Sequence, residues 1–138
     1  MVNRRTANDA TTVIVADDDE DQLSLVAAAL RDDGYVVQEA HDGAELIHLL
    51  VDPTSRPDVV VTDVKMPGLS GLGVLHELHR AGWSIPVVVM TGLSDDSIRR
   101  VARQMGAVGV LRKPFDPDDL LTAVCNARMV HAQRNETG

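Results

Sequence analysis

Five short, nearly uninterrupted apolar runs alternate with longer amphipathic segments, and this alternation constrains the fold more than any other feature of the chain. The runs are rich in β-branched residues and occupy residues 13–16, 35–37, 58–62, 86–90 and 108–111. Strands that are apolar without polar alternation are typical of a parallel sheet covered on both faces. The runs therefore predict five buried parallel strands.

The segments between and after the runs carry apolar residues at the spacing of a helix with one buried face. The stripes are Leu23, Val26, Ala27 and Leu30; Leu46, Ile47, Leu49 and Leu50; Leu72, Leu75 and Leu78; Ile98, Val101, Ala102 and Met105; and Leu120, Leu121, Val124 and Ala127. Right-handed crossovers between parallel strands place such helices on both faces of the sheet. The pattern predicts an α/β fold, a (βα)₅ doubly wound five-stranded parallel sheet.

Polar residues mark the expected ends of the helices. Asp42 and Asp116 stand as N-caps, the latter followed by a proline at the first helical position. Glycines at positions 34, 82 and 106 stand where helices should end. The acids at 19–21 are interpreted as a solvated helix start, because acidic side chains favour that end of the helix dipole.

Length and composition limit the chain to one domain and narrow its ligands. The 138 residues allow one domain, which we expect over residues 12–131, with flexible termini at 1–11 and 132–138. The net charge is −8 and only 2% of the residues are aromatic. An acidic chain without a basic stripe or several stacking rings is a poor candidate for binding nucleic acid.

The single cysteine and the absence of long apolar runs indicate the compartment. Cys125 cannot form an internal disulfide, which fits a reducing environment, and we expect it to be a core residue. Neither a signal peptide nor an apolar run long enough for a membrane span is present. The sequence predicts a cytoplasmic protein.

The most informative polar residues follow the predicted strands. Asp17 and Asp18 follow the first strand, Asp63 the third, Thr91 the fourth and Lys113 the fifth. Ligands of doubly wound sheets bind at the carboxyl ends of the strands, so these side chains should converge. Two carboxylates about 4 Å apart repel by about 4 kcal/mol at an effective dielectric of ~20. The cluster therefore requires a cation or shifted pKa values, and all-oxygen ligands suit Mg²⁺ better than zinc.

The polar residues that follow the strands resemble the signature of the response-regulator receiver domain, the CheY-like module of two-component signalling. The resemblance also includes Met66-Pro67 and Lys113-Pro114-Phe115. The resemblance covers roughly residues 12–131. It implies a sheet of strand order 2-1-3-4-5 with the acids at its edge. It also implies that the chain is a switch whose output is a changed surface, and not an enzyme beyond its own phosphoryl transfer and dephosphorylation.

The resemblance assigns a role to each matching residue. Asp63 would be the phosphoacceptor, and Mg²⁺ would be held by Asp17, Asp18, Asp63 and the backbone carbonyl of Lys65. Thr91 would be the switch hydroxyl and Lys113 the phosphate-binding amine, with a cis bond before Pro114. The phosphodonor would be a sensor histidine kinase or a histidine phosphotransfer protein. The sequence does not identify the downstream protein or fused effector. It also leaves open whether the chain forms a homodimer.

Three positions depart from the family's usual pattern. Val110 occupies the position three residues before the lysine, where receivers commonly carry Tyr or Phe, so an aromatic switch is not expected. Ser70 replaces the usual aspartate before Gly71, and serine can still cap the next helix. Lys65 and Leu93 should flank the water that hydrolyses the acyl phosphate. Because leucine cannot orient that water, we expect Leu93→Glu to speed loss of the phosphoryl group.

Two other functions remain to be weighed. Asp17 and Asp19 also fit the D-x-D motif of haloacid-dehalogenase-type phosphatases, in which the first Asp is the nucleophile and the second the acid. That alternative leaves the segment 63–67 unexplained and needs a longer chain. The other alternative is a degenerate receiver that acts only as a docking platform and is never phosphorylated. It is disfavoured because every residue needed for phosphotransfer is present.

Overall fold

Strands and helices alternate strictly along the part of the chain that the computed structural model describes, residues 11–68, 70–92 and 96–137. The strands are β1 (Thr12–Ala16), β2 (Val36–Ala40), β3 (Val59–Asp63), β4 (Val87–Thr91) and β5 (Gly109–Arg112). The helices are α1 (Glu20–Asp32), α2 (Gly43–Val51), α3 (Gly71–Arg80), α4 (Asp96–Gln104) and α5 (Pro117–Thr137). The predicted (βα)₅ alternation is confirmed.

All strand pairs are parallel, and the sheet has the order β2-β1-β3-β4-β5. The register pairs Ala16 with Ala40 on one side and with Thr62 on the other. Thr62 in turn pairs with Val89. This order places the end of β1 directly beside the end of β3, where the direction of the crossovers changes and ligands of such sheets bind.

Successive side chains of each strand enter two separate hydrophobic clusters. Val13 and Val15 of β1 pack with α1 and α5, whereas Ile14 and Ala16 pack with α2, α3 and α4. Because side chains alternate between the faces of a strand, an apolar run without polar gaps buries both faces. The strand ends are therefore held between two packed helical layers.

The predicted helix boundaries are confirmed where polar side chains define them. The Asp42 carboxylate accepts a hydrogen bond from Glu45 N, 2.8 Å away, and Asp116 Oδ1 accepts one from Asp119 N at 3.0 Å. Glycines 34, 82 and 106 have φ between 77° and 105°. Such left-handed residues end helices at little cost when they lack a side chain.

Three expectations differ from the structure. Strand β2 begins at Val36 and not at residue 35, and it continues through polar residues to Ala40, because an edge strand keeps one side open to water. Helix α5 continues to Thr137, so it extends into the segment 132–138 that was expected to lie outside the domain. The expectation that Cys125 is a core residue is also wrong. Cys125 is exposed, because it lies one residue past buried Val124 and therefore about 100° around the helix.

Thr11, expected in the flexible N-terminal segment, is buried, and its carbonyl accepts the backbone N–H of Val36. The rest of that segment, residues 1–10, lies outside the described residues. Among the described residues, no helix combines the length and the hydrophobicity that crossing a membrane requires.

Candidate functional site

The carboxyl ends of four strands place the predicted polar residues at one edge of the sheet. Asp17 directly follows β1, Asp63 is the last residue of β3, Thr91 is the last residue of β4, and Lys113 directly follows β5. The strands that carry Asp17 and Asp63 are adjacent, as are those that carry Asp63 and Thr91. Parallel pairing therefore brings together residues that are far apart in sequence.

Three carboxylates form a cluster at the boundary between β1 and β3. One oxygen from each of Asp17, Asp18 and Asp63 can be chosen so that all three lie within 4.8 Å of one another. Asp17 is fully buried, Asp63 is nearly so, and Asp18 is exposed. The cluster is thus anchored inside the protein and open to solvent at one corner.

Lys113 connects the two buried carboxylates. Its Nζ lies 3.1 Å from Asp17 Oδ2 and 3.5 Å from Asp63 Oδ2. The other oxygen of Asp17 accepts the backbone N–H of Asp19 at 3.0 Å, and the backbone N–H of Asp17 donates to the carbonyl of Ala40. Each oxygen of Asp17 therefore has a defined partner, which fixes its carboxylate within the cluster.

The environment of Asp63 opposes its negative charge. Burial raises the pKa of the Asp63 carboxyl above its usual value, and the neighbouring charge of Asp17 raises it further. The ammonium of Lys113 and a hydrogen bond from the backbone of Lys65 lower this pKa, and they offset the increase only in part. Among the described residues, the ammonium of Lys113 pairs with two of the three carboxylates, so the site is short of positive charge.

A hard divalent cation fits this group of donors. Carboxylate oxygens are the ligands that Mg²⁺ prefers, and it commonly binds through one or two carboxylates together with waters and phosphate oxygens. The exposed side of Asp18 leaves room for those further ligands. The chemistry of the donors and their unbalanced charge therefore agree with the Mg²⁺ site that the sequence predicts.

The ends of β4 and β5 are joined beside the cluster. The backbone N–H of Lys113 donates to the carbonyl of Thr91 at 2.7 Å, and the peptide bond between Lys113 and Pro114 is cis. The predicted cis bond is confirmed. Thr91 is buried next to the strand that carries Asp63, so it stands at the edge where its proposed hydroxyl function requires it.

Lys65 and Val110 are placed by the structure, whereas Leu93 lies outside the described residues. Lys65 is exposed just after β3, and its backbone hydrogen bonds to Asp63. Val110 is half-buried in β5 and packs against the cluster formed with α2, α3 and α4.

The sequence assigned no role at the site to two residues beside Asp63. Thr62 is fully buried, and its Oγ1 donates to the backbone carbonyl of Asp63 at 3.1 Å. Gly71, at the start of α3, lies so close to the same carbonyl that a Cβ there would overlap its oxygen. The available signals were weak: one threonine ends a run of valines, and one glycine opens a helix.

The fold and the site define the class of protein. The model of the response regulator receiver domain matches residues 13–125, and the chain belongs to that family. Its acidic pocket of Asp17, Asp18 and Asp63 fits the phosphoacceptor site of receiver domains.

Particular relatives agree with this assignment. The chain is 37% identical over 109 residues to the response regulator MprA of Mycobacterium ulcerans (strain Agy99), a match that covers 79% of this chain and 46% of that protein. It thus spans about half the length of the curated relatives it matches. A receiver domain protein from Clostridium thermocellum has a TM-score of 0.83 and 32% identity, covering 89% of this chain and 98% of that one. The chemotaxis response regulator CheY4 of Vibrio cholerae has a TM-score of 0.76 and 27% identity, covering 86% of this chain and 98% of that one.

Proposed function

We propose that Asp63 accepts a phosphoryl group from a phosphohistidine and that the resulting acyl phosphate switches a protein-interaction surface. The observation that carries this proposal is the position of the Lys113 ammonium, 3.5 Å from Asp63 Oδ2 and 3.1 Å from buried Asp17. A carboxylate nucleophile beside a fixed ammonium and two further acids has both an attacking oxygen and a place for a phosphoryl group. Such sites work mainly by positioning and by neutralising charge.

Mg²⁺ would be held by the carboxylates of Asp17, Asp18 and Asp63 and by the backbone carbonyl of Lys65. When bound, the ion supplies positive charge that lets an anionic phosphoryl group approach an anionic nucleophile. The buried carboxylate of Asp17 and the exposed one of Asp18 would be two of its protein ligands.

In the transfer step, a carboxylate oxygen of Asp63 attacks phosphorus, and an O–P bond forms as the N–P bond to the donor imidazole breaks. The imidazole keeps the electron pair of the broken bond and takes a proton from solvent. Lys113 then pairs with the phosphoryl oxygens, and Thr91 donates its hydroxyl to one of them.

The added group brings about −1.5 to −2 units of charge to the end of β3. Movement of Thr91 and Lys113 toward it would shift the ends of β4 and β5, which share the 2.7 Å backbone hydrogen bond between these residues. Because Val110 is an aliphatic residue packed in the core cluster, transmission would proceed through Thr91 and not through a rotating ring.

The phosphodonor would be a sensor histidine kinase or a histidine phosphotransfer protein, and the output would be binding of a downstream protein or control of a fused effector. The chain would catalyse only its own phosphorylation and dephosphorylation, with Lys65 and Leu93 flanking the hydrolytic water. Leu93→Glu should then shorten the lifetime of the acyl phosphate, and an unchanged lifetime would contradict this role.

Intact-mass measurement after incubation with acetyl phosphate tests the proposal. The wild-type chain should gain one phosphoryl group when Mg²⁺ is present and none when the metal is chelated, and Asp63→Asn should gain none. An adduct that persists in Asp63→Asn would refute the assignment. No adduct on the wild type would favour the docking platform instead. Sustained hydrolysis of a generic phosphomonoester would favour the phosphatase alternative.

A further inference from the structure

Gly71 is required at the start of α3 because of space. A Cβ at position 71 would overlap the carbonyl oxygen of Asp63, and it would lie 2.9 Å from the carbonyl carbon and 3.0 Å from Thr62 Oγ1. Four other glycines of the described chain have positive φ, and Gly71 is not among them. Glycine is therefore needed here for close approach and not for an unusual backbone conformation.

Two hydrogen bonds hold the peptide unit between residues 63 and 64, and a third holds the next unit. Thr62 Oγ1 donates to the carbonyl of Asp63 at 3.1 Å. The backbone N–H of Val64 donates to Met90 at 2.9 Å, and the carbonyl of Val64 accepts the backbone N–H of Gly71 at 3.0 Å. These contacts fix the plane of the peptide between residues 63 and 64, from which the Asp63 side chain projects.

Neither Thr62 nor Gly71 is the residue that the surrounding secondary structure favours. Gly71 opens α3, and alanine favours a helix more than glycine does, by up to ~1 kcal/mol in a helix interior. Valine has nearly the shape of threonine and occupies the three preceding positions of β3, whereas a fully buried hydroxyl is unfavourable unless it is hydrogen bonded. Both departures meet at one atom, the carbonyl oxygen of Asp63.

We propose that Thr62 and Gly71 are positioning residues for phosphoryl transfer. They hold the carbonyl of Asp63 so that its carboxylate faces Lys113 and the two other acids. This inference rests on the proposed function of Asp63. Its physical basis is the steep dependence of reaction rate on alignment, since a misplacement of ~1 Å can slow a reaction by about a hundredfold.

The test compares Thr62→Val, Thr62→Ser, Gly71→Ala and Gly109→Ala in the full chain. Gly109→Ala is the matched control, because a Cβ there would make only ordinary contacts of 3.6 and 3.7 Å with Val88. For each protein, phosphorylation by acetyl phosphate at saturating Mg²⁺ is timed by intact mass, well below its measured unfolding temperature.

Thr62→Val should be phosphorylated at least about tenfold more slowly than the wild type, and Gly71→Ala should be slowed by at least as much. Thr62→Ser keeps the hydroxyl, and both it and Gly109→Ala should react within about twofold of the wild-type rate. A twofold change is smaller than the change expected from losing one neutral hydrogen bond. A purely structural role would lower the unfolding temperature of Thr62→Val without slowing the reaction of the folded protein.

Equal rates for wild type, Thr62→Val and Thr62→Ser would overturn the inference while leaving the proposed function intact. The comparison of Thr62→Val with Thr62→Ser tests the inference even if Gly71→Ala does not fold. Failure of the wild type to gain a phosphoryl group would instead overturn the proposed function, and the positioning role with it.

Discussion

The ammonium of Lys113 lies 3.1 Å from Oδ2 of Asp17, a carboxylate with no exposed surface, and this ion pair joins the end of β5 to the end of β1. The pair spans 96 positions of sequence. Lys113 is itself 23% exposed, so its charge is reached by solvent while that of Asp17 is not. Removing the lysine would leave a buried carboxylate without its cation.

Lys113→Met, which keeps the aliphatic stem, should lower the free energy of unfolding by about 1–3 kcal/mol without Mg²⁺, because a buried charge loses its partner. Arg80→Met, which breaks an exposed pair with Glu77, should change it by less than about 1 kcal/mol. Urea unfolding of both variants checks this. Equal effects would show that the Lys113 pair contributes no more than a surface pair.

Asp63→Asn should raise the thermal midpoint in metal-free buffer. Burial and the charge of Asp17 raise the pKa of Asp63, so the folded state holds the ionised carboxylate at a disadvantage at neutral pH. A neutral residue of similar shape removes that disadvantage, and each kcal/mol should shift the midpoint by about 3–5 °C. Asp32→Asn, in an exposed part of α1, is the control. A midpoint that falls in Asp63→Asn would contradict the electrostatic account.

Saturating Mg²⁺ should make the wild type more stable than Asp63→Asn, the reverse of the order expected without metal. The reason is that a ligand that binds the folded state stabilises it. Wild type should gain thermal stability with the metal, and Asp63→Asn should gain less because one carboxylate ligand is lost. Calorimetric scans at several Mg²⁺ concentrations check this, and equal gains would show that Asp63 is not a ligand.

His41 should titrate above its ordinary pKa of 6.5. The cause is mainly a hydrogen bond with Glu45, 2.9 Å from Nδ1, with further attraction from Glu20 and Glu39. Since the folded-state pKa is raised, the stabilisation is fully present below pH 6.5 and is lost as the pH rises through the folded-state value. NMR titration of His41 should show its pKa falling toward 6.5 in Glu45→Gln but not in Glu77→Gln. A wild-type value at or below 6.5 would contradict this assignment.

Asp19 should contribute to stability and not to phosphoryl transfer. Its Oδ1 accepts the backbone N–H of Asp21 at 3.0 Å and of Gln22 at 3.2 Å, which makes it the N-cap of α1. Asp19→Ala should cost about 1 kcal/mol in urea unfolding, whereas Asp19→Asn should retain most of the cap. Phosphorylation by acetyl phosphate should be unchanged in both. Loss of the reaction in Asp19→Asn would instead favour the phosphatase alternative.

Much of the fold was predictable because its strongest signals are local. Apolar runs without polar gaps predict strands buried on both faces, and the stripe from Leu23 to Leu30 is buried as its spacing requires. The residues after the strands could then be assigned to one edge from topology alone. The distances within the site and the burial of its carboxylates could not be predicted, because the shared contact of Lys113 with Asp17 and Asp63 depends on the register of three strands.

The features that escaped prediction depend on contacts between distant segments or on small angular differences. The role of Gly71 depends on how closely α3 approaches the end of β3, which leaves no periodic pattern in the sequence. Cys125 is exposed because one residue turns a helix by about 100°, and an apolar stripe alone does not resolve such a step. The extension of α5 to Thr137 runs through polar residues that lack an apolar stripe.

The measurement that tests the central claim most directly is the location of the acyl phosphate. The phosphorylated chain is reduced with borohydride, which converts a phosphoaspartyl group to homoserine, and its peptides are sequenced by mass spectrometry. The account predicts homoserine at position 63 alone, and only when Mg²⁺ was present during phosphorylation. Homoserine at position 17, where the phosphatase alternative places the nucleophile, or at no position would contradict it.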